Sequence, residues 1–128
     1  MASSGLVKKM LVKPGQRIAV LNAPTDHQAF LGDLPAGVEQ TSEPAASVDW
    51  VCLFVHNKAE FEQWQGVAAA AVKPDGLFWM AYPKGGAKAK TDLNRDILWK
   101  LMEPAGFRPV AMVAIDDIWA AMRFRPAE

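Results

Sequence analysis

The residue best suited to acid or base chemistry is His56, which directly follows the apolar run VDWVCLFV. An imidazole titrates near neutrality and can exchange a proton with a bound molecule. Asn57 follows it, and Asn22 follows a second apolar run, RIAVL. If both runs are strands that end at one edge of a sheet, these side chains form a small polar site. A solvated histidine in a loop is the alternative interpretation.

Other polar side chains also fall just after apolar runs. Lys84, Lys88 and Lys90 belong to the loop PKGGAKAK and could close over a phosphate or carboxylate at the helix N-terminus of Thr25 or Asn57. A solvated loop is the alternative. The predicted ligand is therefore small and anionic, and the predicted ligand-binding residues are Asn22, Thr25, His56, Asn57, Tyr82 and Lys84.

Several other chemistries are not predicted. The chain has two histidines, His27 and His56, and one cysteine, so it has no zinc-binding motif, and neither a metal nor a cofactor is expected. The Asp116-Asp117 pair lies between two apolar runs. It predicts a hairpin turn rather than a pair of catalytic carboxylates, because aspartate tolerates turn geometry.

The elements that must position these residues alternate between strands and helices. Predicted helices begin after the capping residues Ser4, Thr25, Asn57 and Thr91, and the first is expected to stop at Pro14-Gly15. The motif KPDG is expected to end the third helix. Strands are predicted at 17–21, 38–41, 48–55, 77–82, 110–115 and 118–124. This alternation predicts one α/β domain, 1–128, with a mostly parallel sheet of about six strands and a C-terminal antiparallel hairpin.

Two tryptophans are candidates for an interface. Trp99 falls outside the apolar stripe of its predicted helix, and Trp119 is expected on the outer face of a half-exposed last strand. Both could belong to a self-association surface of a homo-oligomer. A side chain lying along the helix flank is the alternative for Trp99.

Composition excludes some partners. Lys plus Arg and Asp plus Glu number 14 each, so the net charge of +0 argues against broad binding of nucleic acid or anionic membrane. No apolar run is long enough for a signal peptide or a membrane span. Cys52 is expected to be a buried, inert thiol. These features predict a cytoplasmic protein.

The segments KPGQRIAVLNAP, VDWVCLFVHNKAEFEQW and AVKPDGLFWMAYPK, followed by a closing hairpin, resemble a trimmed class I methyltransferase. The resemblance implies a Rossmann-like three-layer sandwich. More narrowly, the chain resembles a family of small bacterial proteins of unknown function through its KPG, LNAP, AYPK and TDLNRD motifs. In such a fold, ligands bind where the strand order reverses, here expected between the first and third strands.

The resemblance also implies that the loop after the first predicted strand differs from the cofactor loop of a typical methyltransferase. Methyltransferases of this fold place an acidic residue and then glycines after the first strand. Here Val20 takes the acidic position, and Asn22 and Pro24 take glycine positions. The added side chains should narrow such a pocket, and the missing N–H of Pro24 leaves it with one hydrogen-bond donor fewer. A non-catalytic domain that binds a small ligand or a partner is therefore favoured. The alternatives are a divergent S-adenosylmethionine-dependent methyltransferase or other small enzyme, and a structural, self-associating subunit.

Overall fold

One mixed sheet of six strands forms the centre of the molecule in the computed structural model of the chain. The structure describes residues 6–24, 31–32, 34–41, 48–83, 93, 95–116 and 118–126, with the backbone alone at 74, 75 and 126. The strands are β1 (Arg17–Leu21), β2 (Glu39–Thr41), β3 (Val48–Phe54), β4 (Val72–Pro83), β5 (Phe107–Ala114) and β6 (Trp119–Pro126). The helices are α1 (Leu6–Lys9), α2 (Lys58–Ala71) and α3 (Arg95–Met102).

The strands lie in the order β2-β1-β3-β4-β6-β5. The first four are parallel, whereas β6 runs antiparallel to both β4 and β5. This arrangement confirms the predicted α/β fold, in which a mostly parallel sheet ends in an antiparallel hairpin. The short β2, predicted from a weak pattern, is also present.

Hydrophobic side chains cover both faces of the sheet. On one face Val51, Leu53 and Met80 pack with buried residues of α2 and α3. On the other, Trp50 and Trp79 pack with Leu6 and Met10 from the region of α1. Strand β3 is buried along its length apart from Asp49, as expected of a central strand covered on both faces. The core therefore has the three layers that the resemblance implied.

Strand β4 begins earlier than the sequence predicts. Helix α2 ends at Ala71, close to the motif KPDG that was expected to end it, but the motif itself lies inside β4. A Cβ atom at Gly76 would lie 2.7 Å from Val72 Cγ2 and 2.8 Å from the Asp49 carbonyl oxygen, so only glycine fits this close approach. The pairing of β3 with β4 also shifts register between Val48 and Trp50. The predicted start of the strand at residue 77 is wrong because pairing with β3 extends β4 through a motif whose proline and glycine locally disfavour a strand.

The first helix is shorter than predicted. It ends at Lys9, and Leu11 follows with a φ of 64°, a left-handed conformation that a helix cannot continue through. Leu11 is also exposed. The predicted stop at Pro14-Gly15 is therefore wrong by several residues.

The last strand differs from the predicted half-exposed pattern. Trp119 and Ala121, expected on an outer face, are buried, as are Ala120 and Met122 on the opposite face. Both faces of the first half of β6 are covered because Ala120 and Met122 belong to the core on the α2 and α3 side of the sheet, whereas Trp119 and Ala121 belong to the core on the α1 side. Across the described residues, no helix is long and apolar enough to cross a membrane.

Candidate functional site

The strand order reverses between β1 and β3. The chain leaves β1 to add β2 on one side and then returns to add β3 on the other, so the connections after β1 and β3 diverge. In open α/β sheets the carboxyl edge at such a point is the usual place for a ligand. The predicted location of the switch point is confirmed, with Asn22 after one strand and His56 after the other.

Asn22 spans this edge from the β1 side. Its backbone has a φ of 57°, a conformation that glycine adopts most easily and asparagine tolerates better than most residues. Its side-chain Nδ2 donates to the Phe54 carbonyl oxygen at 2.8 Å and to Glu60 Oε1 at 3.0 Å. The loop after β1 is thereby tied to the end of β3 and to α2.

Glu60 brings these groups together. Its Oε1 accepts hydrogen bonds from Asn22 Nδ2, from the His56 backbone N–H at 2.8 Å, and from His56 Nδ1 at 2.7 Å. We call Asn22, His56 and Glu60 the Glu60 cluster. Two of its members were sequence candidates. Glu60 was not among them.

The start of α2 positions the cluster. Asn57 has an extended backbone and caps the helix, because its Oδ1 accepts from the Glu60 backbone N–H at 2.9 Å. The predicted cap is confirmed. Asn57 therefore holds the first turn of α2 so that the Glu60 side chain points back to the end of β3.

The Glu60 carboxylate is held in its ionised form. Partial burial raises the pKa of Glu60, but the hydrogen bonds and positive charge from His56, together with the Asn22 hydrogen bond, outweigh it. The net pKa of Glu60 lies below its usual value of 4.5. A fixed negative charge therefore lies at the carboxyl edge.

Trp119 packs beside this cluster from β6. Its ring meets the His56 imidazole edge to face, with centroids 5.0 Å apart, and meets Phe54 at 5.1 Å. Only 4% of Trp119 is exposed. Its predicted position on an outer face is wrong, and its position beside His56 instead fixes the plane of that ring.

Tyr82 does not lie on the rim where the sequence placed it. It is buried in the core on the α3 side of the sheet, and its hydroxyl donates to Met112 Sδ at 3.1 Å. Burial raises the pKa of Tyr82. Thr25 and Lys84, the remaining candidates, lie outside the described residues, so their ligand-binding roles stay predictions.

Three further predictions concern residues away from this edge. Trp99 is exposed as expected, at 46%, and its role in self-association stays a prediction. Asp116 Oδ1 accepts from the backbone N–H groups of Ile118 and Trp119, as in the predicted turn. Cys52 is fully buried, which raises the pKa of its thiol.

No cluster of three metal-ligating side chains occurs among the described residues.

The opposite edge of the sheet holds a separate polar group. Asp49 accepts from the Arg17 backbone N–H and from Lys73 Nζ, each at 2.9 Å, and these contacts lower the pKa of Asp49. They join β1, β3 and β4 at the amino ends of the strands. Because ligands in such sheets bind at the carboxyl ends, this group is structural.

Solved structures with a similar fold include methyltransferases and complexes with S-adenosylmethionine or S-adenosylhomocysteine. DhpI in complex with SAH has a TM-score of 0.62 and 12% identity, over 96% of this chain and 82% of DhpI. Ribosomal protein L11 methylase from Lactobacillus delbrueckii subsp. bulgaricus has a TM-score of 0.60 and 6% identity, over 95% and 75% of the two chains. A SAM-dependent methyltransferase from Aquifex aeolicus has a TM-score of 0.60 and 12% identity, over 93% and 86%.

This chain has the class I methyltransferase fold. At these identities the likeness establishes the fold alone. No protein-family model matches the sequence, and no curated protein matches it, so the narrower resemblance to a small bacterial family stays a prediction. Activity must be argued from the carboxyl edge itself.

Proposed function

We propose that the chain is a divergent S-adenosylmethionine-dependent methyltransferase whose cofactor edge is organised by Glu60. The observation that carries this proposal is the position of the Glu60 carboxylate at the switch point, held by donors from the β1 loop and the end of β3. Val20, at the expected acidic position, is buried and apolar. Glu60 supplies from α2 the carboxylate that β1 lacks.

The chemistry of the cluster fits this cofactor. S-adenosylmethionine carries a sulfonium, an ammonium group and ribose hydroxyls, all of which favour an anionic acceptor, and it supplies a methyl group to a nucleophile. Among the described contacts, Glu60 Oε1 makes all of the hydrogen bonds to the cluster and Oε2 makes none. Oε2 is therefore the atom that would accept from the cofactor.

The β1 loop also keeps a feature of a glycine loop. Asn22 adopts the left-handed backbone conformation for which glycine is usually required, so the turn is retained although the glycine is absent. Pro24 has no N–H to donate. We therefore expect the cofactor to bind, but less tightly than a loop with three glycines would allow.

Calorimetric titration with S-adenosylhomocysteine and S-adenosylmethionine tests the proposal. We expect saturable binding to the wild-type protein and at least tenfold weaker binding to Glu60→Gln. A hydrogen bond to a charged group contributes about 1.5–3 kcal/mol, which is about 10-fold to 150-fold in affinity. The matched control is Glu62→Gln, which removes the same charge from an exposed position on the same helix and should bind like the wild type.

Two results would contradict the proposal: no heat of binding to the wild type at millimolar ligand, or equal affinities for Glu60→Gln and Glu62→Gln. Circular dichroism of each variant should show that the fold is retained. A loss of affinity then reports on the site.

The second candidate is a non-catalytic domain that binds a small ligand or a partner. The observation that favours it is the Asn22 amide, which bridges Phe54 and Glu60 and partly closes the space between β1 and β3. In that case the wild type should bind neither cofactor form, and Asn22→Gly should restore measurable binding. Equal binding by the wild type and Asn22→Gly would remove the support for a closed edge.

A further inference from the structure

We propose that Arg108, Arg123 and Arg125 form a binding site for a phosphate group on the α1 side of the sheet, where β5 pairs with β6. We call these three residues the arginine site. It is separate from the Glu60 cluster, because Arg123 follows Trp119 by four residues along β6, which is about 13 Å in a strand. The argument for it does not depend on the proposed methyltransferase function.

Strand pairing brings the three side chains to one face of the sheet. Arg123 and Arg125 are two positions apart on β6, so they point to the same face. That face is the α1 side, because Arg123 lies directly opposite Trp79, which packs in the core there. Arg108 lies directly opposite Arg125 on β5 and therefore shares its face. Neighbouring positions on two paired strands thus carry three positive charges.

A bulge in β5 places Arg108 at this site. The register between β5 and β6 shifts between Pro109 and Ala111, where β5 has one extra residue. In a regular ladder Pro109 would lie opposite Arg125, and Arg108 would point to the other face of the sheet. Bulges are frequent at sheet edges and beside functional sites, where they redirect a side chain. Here the bulge turns one arginine toward another.

No carboxylate balances the charge of the arginine site. Arg17 Nε lies 3.7 Å from Glu39 Oε1, and Arg95 Nε lies 3.3 Å from Asp96 Oδ1. Over the part of the chain that the structure describes, the side chains of the arginine site make no ion pair. Like charges directly opposite each other on paired strands destabilise a sheet. The arrangement therefore opposes folding unless an anion binds to it.

Two buried donors at the same place also lack acceptors. Arg123 Nε and Trp79 Nε1 are buried without a hydrogen-bond partner, and the two residues lie directly opposite each other across β4 and β6. Trp79 is only 1% exposed. Unsatisfied buried donors are costly, and in native proteins they often mark a bound ion or a functional site. An anion would supply the negative charge that this group of donors lacks.

The number of guanidinium groups favours phosphate over a carboxylate. A phosphate ester carries between about 1.5 and 2 negative charges near neutral pH and has three acceptor oxygens. Guanidinium groups bind such oxygens in a bidentate geometry. A carboxylate has one charge and two oxygens, which a single guanidinium can satisfy. Arg108 and Arg125 are exposed and Arg123 is partly exposed, so an anion in solution can reach the site.

NMR titration of ¹⁵N-labelled protein with inorganic phosphate, at about pH 7 and constant ionic strength, tests the proposal. The buried N–H groups of Trp79 Nε1 and Arg123 Nε exchange slowly with water, so their signals should be visible. We expect saturating shifts at both and none at Trp99, which is exposed on α3. The absence of saturation, or equal shifts at Trp99, would overturn the proposal.

Acetate is the matched control ligand, because it is a carboxylate. It should produce no saturating shift over the same concentration range. Saturation by acetate at the same concentration as phosphate would overturn the assignment to a phosphate group. Glycerol phosphate distinguishes the source: tighter binding than inorganic phosphate identifies a phosphate ester, and equal affinity identifies free phosphate.

Substitutions locate the binding in the arginine site. Arg125→Gln and Arg108→Gln should each weaken phosphate binding by about tenfold or more, because each removes a charged hydrogen-bond donor. The matched control is Arg17→Gln, which removes an exposed arginine beside Glu39 and should bind phosphate like the wild type. Equal affinities for Arg125→Gln and Arg17→Gln would contradict the proposal.

Urea unfolding separates a binding role from a structural one. In phosphate-free buffer, Arg125→Gln should be at least as stable as the wild type, because it relieves the repulsion with Arg108. Added phosphate should raise the stability of the wild type more than that of Arg125→Gln. A loss of stability in Arg125→Gln without phosphate, or equal stabilisation of both proteins by phosphate, would overturn the site.

Discussion

Glu60 is an ionised carboxylate whose negative charge is stabilised by hydrogen bonds from neighbouring groups. Three donors meet one of its oxygens, and all of them come from the loop after β1 or the end of β3. An acid with a lowered pKa stabilises the folded state only while it is ionised. The cluster therefore couples the stability of the fold to pH.

We expect Glu60 to stabilise the protein above about pH 4.5 and to lose that effect as the pH falls through its lowered folded-state pKa. Urea unfolding of the wild type and Glu60→Gln between about pH 7 and pH 3 measures this. The difference in unfolding free energy should be largest near neutrality and should shrink in acid. Asp49, whose pKa is also lowered, is present in both proteins and cancels in the difference. A difference that is constant with pH would contradict the assigned charge.

The sequence predicts part of this cluster and misses the rest for a physical reason. His56, Asn57 and Asn22 follow apolar runs, so their place at a strand end can be inferred from hydrophobic patterning. For Glu60, the sequence indicates only a place in the first turn of the helix that Asn57 caps, because that relation is local. Its contact with Asn22 joins residues 38 positions apart, which no local pattern encodes.

At the level of elements, helix α2 and strand β4 show which element boundaries can be predicted from the local sequence. The start of α2 is set by a side-chain cap within three residues, so it is predicted correctly. The start of β4 depends on Val72 pairing with Val48 and on Gly76 approaching the Asp49 carbonyl. Those are contacts with another strand, and they override a motif that in isolation favours a turn.

Two glycines offer a matched test of this account of β4. Gly76→Ala should destabilise the fold by about 1–3 kcal/mol, because the new methyl group would lie 2.8 Å from backbone that cannot move freely. Gly66→Ala, in the exposed face of α2 with no atom within 4 Å, should instead stabilise it by about 0.5–1 kcal/mol. Chemical denaturation of both variants gives the two signs. Equal effects would show that the close approach at Gly76 is absent.

Over the whole molecule, the alternation of strands and helices is enough to predict the sheet, its parallel half and its closing hairpin. Which residues cover which face is less predictable. Trp119 has the spacing of an outward residue, yet it is buried, because residues from the region of α1 pack on that face of the sheet. This packing across the sheet, which the pattern of one strand does not encode, brings the Trp119 ring against His56.

The central claim is that the carboxyl edge at the Glu60 cluster binds the adenosyl cofactor, and backbone NMR during titration with S-adenosylhomocysteine tests it most directly. We predict saturating chemical-shift changes at Asn22, His56 and Glu60, with little change at Lys73 on the opposite edge or at Trp99. Binding that left the Glu60 cluster unperturbed, or shifts confined to Lys73 or Trp99, would contradict the account.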